Sequence, residues 1–463
     1  MNDDETAAAS SHVKDEEFRE LDDQLEGPVI LPEDERYHEA RTIYNSMIDK
    51  RPAAIARCEN TGDVVRAVSF ARRHGLRTAV RGGGHSVAGA CLVDGGLVID
   101  LSAMNAVRVD PDRRTAVVQG GATWRDVDQA TQEHGLATPG GTVPPTGVGG
   151  LTLGGGIGWL MRSHGMSCDN LVRAEVVAAS GDIVQASQDE NPELFWGLRG
   201  GGGNFGVVTE FEFRLHPVQN VLAGLIAHPG DQARDALAFY RTFTQQAPDD
   251  VTTMATLMSM PDVGSVAAFG VCYAGEPDRG SEAIQPILDW GEPVQVMVDW
   301  MPYLTLQQLL EDMFPDGLHN YWSSSFLKEL NDDVIDIAVS HHQRQTSPMS
   351  ILLLEHFGGA VRDVPAEATA FPHRNAKYNF SAMARWMDPG ESATHIAWAR
   401  QFRDDLKPHS TGGAYVNYLT EQGSDRARAN YGPDIYARLA DLKAVYDPDN
   451  LFSENLAVQP ASR

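Results

Sequence analysis

Three groups of glycines mark the stretch of the sequence where a ligand could lie closest to the backbone. They fall at residues 82–84, 147–158 and 200–206, and more than half of the 44 glycines lie between Gly82 and Gly206. Glycine has no Cβ to keep a ligand away from the backbone, and successive free N–H groups form a concave site that suits a pyrophosphate. One such group is as well explained by a tight strand connection, whereas three together favour a large anionic cofactor.

The glycine pattern disfavours two common nucleotide-binding motifs. A dinucleotide fingerprint needs G-x-G-x-x-G directly after a strand, and a P-loop needs Gly-Lys-Ser/Thr. No glycine group here follows a predicted strand with the first pattern, and no lysine occurs between Lys50 and Lys328. Nicotinamide cofactors and ATP are therefore the weaker candidates.

His85 directly follows the first glycine group at the end of a predicted strand. An imidazole in that place could be a nucleophile toward a cofactor carbon, a general base, or a hydrogen-bonded loop histidine. The last role is the commonest for a single histidine, and the surrounding glycines shift the balance toward the first two.

Four motifs in fixed order strongly resemble the berberine bridge enzyme-like family of FAD-linked oxidases, within the p-cresol methylhydroxylase/vanillyl-alcohol oxidase superfamily. They are R-G-G-G-H-S-V-A-G from Arg81, G-V-G-G-L-T-L-G-G-G-I-G from Gly147, W-G-L-R-G-G-G-G-N-F-G-V-V-T from Trp196, and Y-V-N-Y from Tyr415. The resemblance runs from about Pro52 to Pro460 and is weakest in the centre of the chain.

The resemblance implies an α+β fold with FAD as the cofactor. It consists of a two-lobed FAD-binding domain of the p-cresol methylhydroxylase type and an α+β substrate domain with an antiparallel sheet. His85 is implied as the covalent anchor, through an 8α-histidyl bond. The other implied FAD contacts are Arg81, Gly82, Gly83, Gly84, Ser86, Gly89, Thr142, Gly147, Gly150, Gly154, Gly155, Gly156, Gly158, Asn204, Val208, Tyr415 and Asn417.

Many members of the family hold FAD by a second bond, from a cysteine four residues before the G-V-G-G motif. In this sequence that position is Val143, and no other cysteine lies in the same loop. The chain is therefore expected to carry only the histidyl bond, with no cysteinyl link, like the monocovalent subgroup similar to 6-hydroxy-D-nicotine oxidase.

The reaction implied is hydride transfer from a small molecule to the flavin, with O2 as the expected acceptor. Such a transfer is easier when a base removes the O–H or N–H proton of the substrate. The resemblance assigns this role to Tyr415, whose pKa of about 10 must then be lowered by a neighbour such as Arg385 or His373. Tyr415 could instead be an aromatic lid over the flavin. Glu355 is the second candidate for a catalytic group, as a base or as a hydrogen-bond acceptor. It could instead be a solvated carboxylate on a strand.

The substrate is expected to bear a hydroxyl or an amine, and a sugar, an alkaloid or a polyketide-like compound would each fit. Trp300, Trp322 and Trp386 could stack on its ring or simply pack the sheet. Two alternatives stay open. One is a dehydrogenase that uses an acceptor other than O2, because Pro145-Thr146 departs from the plant pattern. The other is a protein that binds flavin without turnover.

Length and patterning give the elements that must position these residues. The 463 residues, 42% of them apolar, are enough for two or three domains. Asn60 predicts the start of a helix that ends at Gly75, and strands are predicted at 77–80, 97–101, 115–119 and 207–215. We expect an acidic N-terminal tail over 1–36, of which residues 1–26 form a mobile tail or a loosely docked helix. The FAD-binding domain is expected over 37–218, the substrate domain over 219–410, and a C-terminal segment that returns to the FAD-binding domain over 411–463.

The net charge of −27 would repel a phosphate backbone, so nucleic acid is an unlikely partner. No apolar run approaches the roughly 20 residues of a membrane helix, and no secretory signal is visible. Four scattered cysteines fit the reducing cytoplasm, and the histidines show no metal-ligand spacing. The acidic, lysine-poor composition fits either a halophilic source or an arginine-for-lysine bias. A monomer or a homodimer is expected.

Overall fold

The computed structural model describes residues 13–462. The strands are β1 (Val29–Ile30), β2 (Ala54–Arg57), β3 (Thr78–Arg81), β4 (Leu97–Asp100), β5 (Val107–Asp110), β6 (Thr115–Gln119), β7 (Leu136–Ala137), β8 (Leu171–Val177), β9 (Ile183–Ser187), β10 (Val207–Arg214), β11 (His216–Pro217), β12 (Asn220–Pro229), β13 (Val251–Met260), β14 (Gly264–Tyr273), β15 (Gln295–Pro302), β16 (His319–Leu327), β17 (Ile351–His356) and β18 (Tyr378–Trp386).

Fourteen α-helices are interspersed among these strands in residues 13–462. They are α1 (Asp15–Asp22), α2 (Tyr37–Ala40), α3 (Thr61–His74), α4 (Trp124–Gln132), α5 (Val148–Leu153), α6 (Met161–His164), α7 (Pro192–Leu198), α8 (Ala233–Gln246), α9 (Pro277–Leu288), α10 (Tyr303–Gln308), α11 (Asp332–Gln343), α12 (Ala360–Asp363), α13 (Ser392–Leu406) and α14 (Ser424–Tyr446), with a short 3-10 turn at Val416–Tyr418. None of the helices in residues 13–462 has the length and apolarity needed to cross a membrane.

The first domain has two lobes, each built on its own sheet. One sheet has the order β1-β2-β4-β3, with β2, β4 and β3 parallel, and the other is antiparallel with the order β5-β6-β10-β8-β9. Helix α3 packs on both sheets. Its first turn is capped by the Asn60 side chain, and it ends at Gly75, whose φ of 60° favours glycine. The predicted limits of this helix are therefore confirmed.

The second domain is a seven-stranded antiparallel sheet with the order β15-β12-β14-β13-β17-β18-β16. Successive side chains of a strand point to opposite faces. On β14, Phe269 and Val271 join a core with helices α8, α9, α11 and α13, whereas Ala268 and Gly270 face the first domain. The expected α+β fold with an antiparallel substrate-domain sheet is confirmed.

The N-terminal region differs from the acidic tail expected over residues 1–36. Residues 1–12 lie outside the described part of the chain. In α1, however, Phe18 and Leu21 are buried, and the ring of Phe18 lies 5.5 Å from that of Phe70 on α3. Strand β1 then pairs with β2. Helix α1 is therefore a docked helix, because its two apolar side chains lie on one helical face and give it a surface to bury. The first domain also begins before the predicted boundary at residue 37.

The C-terminal helix α14 is held against the first domain by a buried cation. Lys443 Nζ donates to the carbonyl oxygens of Asn204 and Phe452, at 2.8 and 2.9 Å, and to Asp447 Oδ2 at 2.5 Å. Both charged side chains are fully buried. Burial lowers the pKa of Lys443, while the Asp447 carboxylate acts to raise it. This group joins α14 to the loop before β10 and to the last residues of the chain.

Replacing Lys443 by methionine should therefore strongly destabilise the protein. Asp447 would be left buried without its cation, a loss of about 3–5 kcal/mol in the free energy of unfolding. Urea unfolding followed by tryptophan fluorescence measures this. The control is Lys407→Met, at an exposed position, which should change the free energy by no more than about 0.5 kcal/mol. Equal losses in the two variants would show that the buried ion pair does not hold α14 in place.

Candidate active site

A cavity of about 320 Å³ lies where the glycine loops of the first domain face the seven-stranded sheet. Its walls come from the loop after β3, the segment that includes α5, the loop before β10, the sheet, and the C-terminal residues 415–422. No Asp, Glu, Lys or Arg side chain from residues 13–462 lines it. Any charged group that binds there must be met by backbone dipoles and neutral polar side chains.

Two glycine loops touch through their backbones at one end of the cavity. A Cβ on Gly83 would lie 2.7 Å from Gly147 Cα, and a Cβ on Gly147 would lie 2.5 Å from Gly83 N. Gly84 follows with a φ of 71°, a conformation that side chains rarely adopt. The sequence therefore keeps these positions free of side chains, and the two loops present bare backbone to the cavity.

The structure brings most of the predicted cofactor residues to this cavity. Those that line it are Gly82, Gly83, Gly84, His85, Ser86, Thr142, Gly147, Gly150, Gly154, Val208, Tyr415 and Asn417. The predicted cofactor residues outside its lining are Arg81, Gly89, Gly155, Gly156, Gly158 and Asn204, and the catalytic candidate Glu355 also lies outside the lining.

The second group supports the loops from behind. Arg81 donates to the carbonyl of Ala40, so its side chain turns away from the cavity. The Asn204 amide donates to the Gly201 carbonyl at 2.8 Å and accepts from Val458 N at 3.1 Å. Neither side chain lines the cavity, and direct contact of Arg81 and Asn204 with a cofactor stays a prediction.

Gly89, Gly155, Gly156 and Gly158 have a different reason to be glycine. A Cβ on any of them would collide with a neighbouring part of the chain, such as Ile48 for Gly89 and Met166 for Gly155, each at 2.6 Å. These residues permit close packing of the loops. Their contact with a cofactor stays a prediction.

The His85 imidazole lines the cavity and is neutral. The imidazole stacks on Tyr44, with 3.9 Å between ring centroids and 14° between planes, and its Nε2 is buried without a hydrogen-bond partner. Burial lowers the pKa of His85 to about 4. At neutral pH the ring is therefore unprotonated, held in one orientation, and able to act as a nucleophile.

Tyr418 and Glu355 form a hydrogen-bonded pair at the sheet side of the cavity. Tyr418, which lines the cavity, donates to Glu355 Oε1 at 3.1 Å, and Asn379 donates to Glu355 Oε2 at 2.7 Å. Burial raises the pKa of Glu355 to about 7, although both hydrogen bonds oppose the rise. Burial and the nearby carboxylate raise the pKa of Tyr418 well above its ordinary value. A phenol next to a carboxyl that titrates near neutrality can pass a proton to it.

Tyr415 has a different environment from Tyr418. Its phenolic oxygen accepts hydrogen bonds from the N–H groups of Gly156 and Ile157, at 3.2 Å each, and from the Asn417 amide at 2.8 Å. Burial raises its pKa. These three hydrogen bonds act to lower that pKa, and they tie the phenolic oxygen to the loop at Gly156 and Ile157.

The two neighbours expected to lower the pKa of Tyr415 lie elsewhere. Arg385 donates to the carbonyls of Met313 and Met349, and His373 packs on Phe326 with 4.4 Å between ring centroids. Neither side chain hydrogen-bonds to Tyr415. That expectation was wrong, because the fold carries both groups to other parts of the second domain.

Sequence reasoning missed the apolar side of the cavity, which we call the methionine wall. It consists of Met254, Met258, Met260, Met297, Met313 and Met383. On β13, the spacing by two and four residues of the first three placed them on one face of a strand, which is a signal that could have been read. Of the three tryptophans considered, Trp322 lines the cavity, Trp386 is buried in the helix-covered core, and Trp300 lies half-exposed on the edge strand.

The residues present fit FAD as the ligand. The cavity joins a side-chain-free backbone cradle, suited to a pyrophosphate, to an apolar space suited to a flavin ring. His85, whose Nε2 has no hydrogen-bond partner, lines the same cavity. Cys91 also reaches the wall, and burial raises the pKa of its thiol. In the described residues, no group of three or more His, Cys, Asp or Glu side chains could hold a metal ion.

Comparisons with known proteins agree with this geometry. The model of an FAD binding domain matches residues 52–187, and that of berberine and berberine-like proteins matches residues 414–459. An FAD-linked oxidoreductase of Dictyostelium discoideum is 33% identical over 95% of this chain and 96% of its own. The (R)-6-hydroxynicotine oxidase of Paenarthrobacter nicotinovorans is 31% identical over 94% and 97%. The crystal structure of 6-hydroxy-D-nicotine oxidase from Arthrobacter nicotinovorans superimposes with a TM-score of 0.88 at 29% identity, over 94% and 98%.

Substituting alanine for Gly83 should remove flavin from the protein without unfolding it. The new Cβ would push apart the backbones of the two glycine loops, and the cradle between them would lose its shape. The ratio of flavin to protein absorbance in the purified variant measures the loss. Gly390→Ala is the control, because that Cβ meets only the flexible Asp388 side chain, 3.2 Å away. Full flavin content in Gly83→Ala would show that the contact between the loops is not needed for binding.

Proposed function

The chain belongs to the berberine bridge enzyme-like family of FAD-linked oxidoreductases, and on that premise we propose that it oxidises a hydroxyl- or amine-bearing small molecule with O2 as the acceptor. It is an FAD-dependent oxidoreductase, and the observation that carries the rest of the proposal is the Tyr418–Glu355 pair. This pair places a phenol with an adjoining carboxyl on the same cavity as His85 and the glycine loops.

In this proposal Tyr418 receives the proton of the substrate hydroxyl and passes its own proton to Glu355 Oε1. The hydrogen bond from Tyr418 to that oxygen already has the direction of the transfer. Asn379 holds the other carboxyl oxygen, which fixes the orientation of the acceptor. Tyr418 thus takes the base role that was first assigned to Tyr415, three residues earlier in the same motif. In this proposal Tyr415 is a positioning residue.

Bound FAD supplies the acceptor for the hydride that leaves the substrate carbon. The glycine loops around Gly83 and Gly147 would hold its pyrophosphate, and Asn417 and Val208 would border the flavin. We propose that His85 is the covalent attachment point. Its neutral, unpaired Nε2 and its stack on Tyr44 support this role. Val143 stands where a cysteinyl bond would form, so one bond is expected.

The covalent bond can be tested directly on the purified protein. After acid precipitation, the pellet should be yellow and its intact mass should be raised by one FAD. His85→Ala should give a white pellet and a yellow supernatant, because the variant still has the cradle. His38→Ala is the control, since His38 is exposed and does not line the cavity. A yellow pellet from His85→Ala would assign the bond to another residue.

The pH dependence of flavin reduction tests the Tyr418–Glu355 pair. Only ionised Glu355 can accept the proton, and the ionised fraction grows as pH rises through its pKa of about 7. The anaerobic rate of flavin bleaching, with any hydroxylated compound that reduces the wild type, should therefore rise through that pH and level off above it. Glu355→Gln should lower the rate about 100-fold and remove the pH dependence, and Tyr418→Phe should lower it to a similar extent.

Tyr446→Phe serves as the control for the loss of a phenolic hydroxyl, because Tyr446 lies outside the cavity. It should keep both the rate and the pH profile. A Glu355→Gln variant that keeps the wild-type profile would reject the pair as the proton acceptor. Peroxide release on reoxidation in air tests O2 as the acceptor separately, and a reduced flavin that stays reduced in air would favour a dehydrogenase.

A further inference from the structure

We infer that the substrate of this enzyme is a neutral, largely apolar ring compound with a single reacting hydroxyl, rather than a sugar or a charged molecule. This inference rests on the proposed function and narrows it to a substrate class. It is carried by the composition of the cavity beside the seven-stranded sheet, where the methionine wall, Phe314 and Trp322 face the Tyr418–Glu355 pair.

The first step is the chemistry of the methionine wall. Methionine side chains are unbranched and polarizable, they adapt to irregular shapes, and their sulfurs make favourable contacts with aromatic rings. Five of the six lie on β13, β15 and β18, with side chains on the cavity face of one sheet. Leu225, Leu353 and Ile351 extend the same surface. Such a wall gains free energy by covering a ring and gains little from a hydrated polyol.

The second step is the absence of charge. No Asp, Glu, Lys or Arg among the described residues lines the cavity. Glu355, the carboxyl behind the wall, is already engaged by Tyr418 and Asn379. A carboxylate or ammonium on the substrate would lose its water without gaining a partner of opposite charge, which is a large penalty.

Few hydrogen-bonding groups on this side of the cavity are free to meet a substrate. Gln422 lines the cavity and its Oε1 has no partner, whereas Gln295 Nε2 donates to Met297 Sδ at 3.3 Å. Thr256 Oγ1 donates to the carbonyl of Ala268 at 3.3 Å. Trp322 Nε1 donates to Asn320 Oδ1 at 3.1 Å, so its indole presents only apolar ring to the cavity. Each buried hydroxyl without a partner costs about 1–3 kcal/mol. A disaccharide would bury several hydroxyls without a partner, whereas a compound with one hydroxyl can form its hydrogen bond with Tyr418.

Equilibrium binding to the intact flavoprotein tests the inference without requiring turnover. The probes are 2-naphthalenemethanol, 2-naphthoate with the same ring and a negative charge, and cellobiose as the polyol. Binding is followed by the change in flavin absorbance under anaerobic conditions. The alcohol should bind at least about tenfold more tightly than the carboxylate, which corresponds to a difference of one unpaired polar group, and cellobiose should give no saturable change.

Variants of the wall separate its apolar character from its shape. Met258 lines the cavity and is partly exposed, so its replacement is compatible with folding. Met258→Gln should weaken binding of 2-naphthalenemethanol several-fold, and Met258→Leu should keep it. Met387→Gln, at a methionine that is 67% exposed just beyond β18, should leave binding unchanged. All three variants should retain the wild-type flavin content.

The outcomes separate the substrate class from the reaction. Saturable binding of the alcohol in preference to the other probes supports the inference, whether or not the flavin bleaches. Bleaching tests only the proposed oxidation. Tighter binding of cellobiose or of 2-naphthoate would overturn the inference, even if the flavin is reduced, and so would the absence of binding by the alcohol. Equal binding by Met258→Gln and wild type would remove the wall from substrate recognition.

Discussion

The architecture depends on one constraint: the backbones of the loops at Gly83 and Gly147 meet with no room for a Cβ between them. Because no charged side chain from residues 13–462 lines the cavity, an anionic pyrophosphate must be met there by backbone N–H groups. Those groups are accessible only while the loops stay bare. Supporting residues such as Asn204 therefore work from behind the wall, where their hydrogen bonds hold the loops without occupying the cavity.

The C-terminal motif at residues 415–418 couples this cradle to the second domain. The Tyr415 hydroxyl and the Asn417 amide bond to the α5 region, through Ile157 and the carbonyl of Leu151, while Tyr418 bonds to Glu355 on β17. One short turn thus touches both walls of the cavity. A shift of the sheet relative to the loops would strain either set of hydrogen bonds, so the motif fixes the distance between the cradle and Glu355, the proposed proton acceptor.

The sequence predicts local structure here better than long-range pairing. Helix α3 follows from the cap at Asn60 and the glycine at its end, since both signals act within one turn. The glycine loops are recognisable in the sequence because only glycine leaves the backbone without a side chain. In contrast, the pairing of Tyr418 with Glu355 joins residues 63 positions apart, and either tyrosine of the motif could have made it. Arg81 likewise turns to Ala40, away from the cavity, for reasons that lie in the packing of two distant segments.

A chain with a net charge of −27 can bind an anionic cofactor in this cavity because the surface charge acts only over a short range. At physiological ionic strength, charges on the surface are screened over about 8 Å, whereas a dipole in direct contact acts at full strength in a medium of low polarity. The surface charge therefore has little influence inside the cavity. Binding of the cofactor in the cavity depends on the orientation of a few N–H groups and on the apolar surface opposite them. A cavity without charged side chains can therefore bind an anionic cofactor even in an acidic protein.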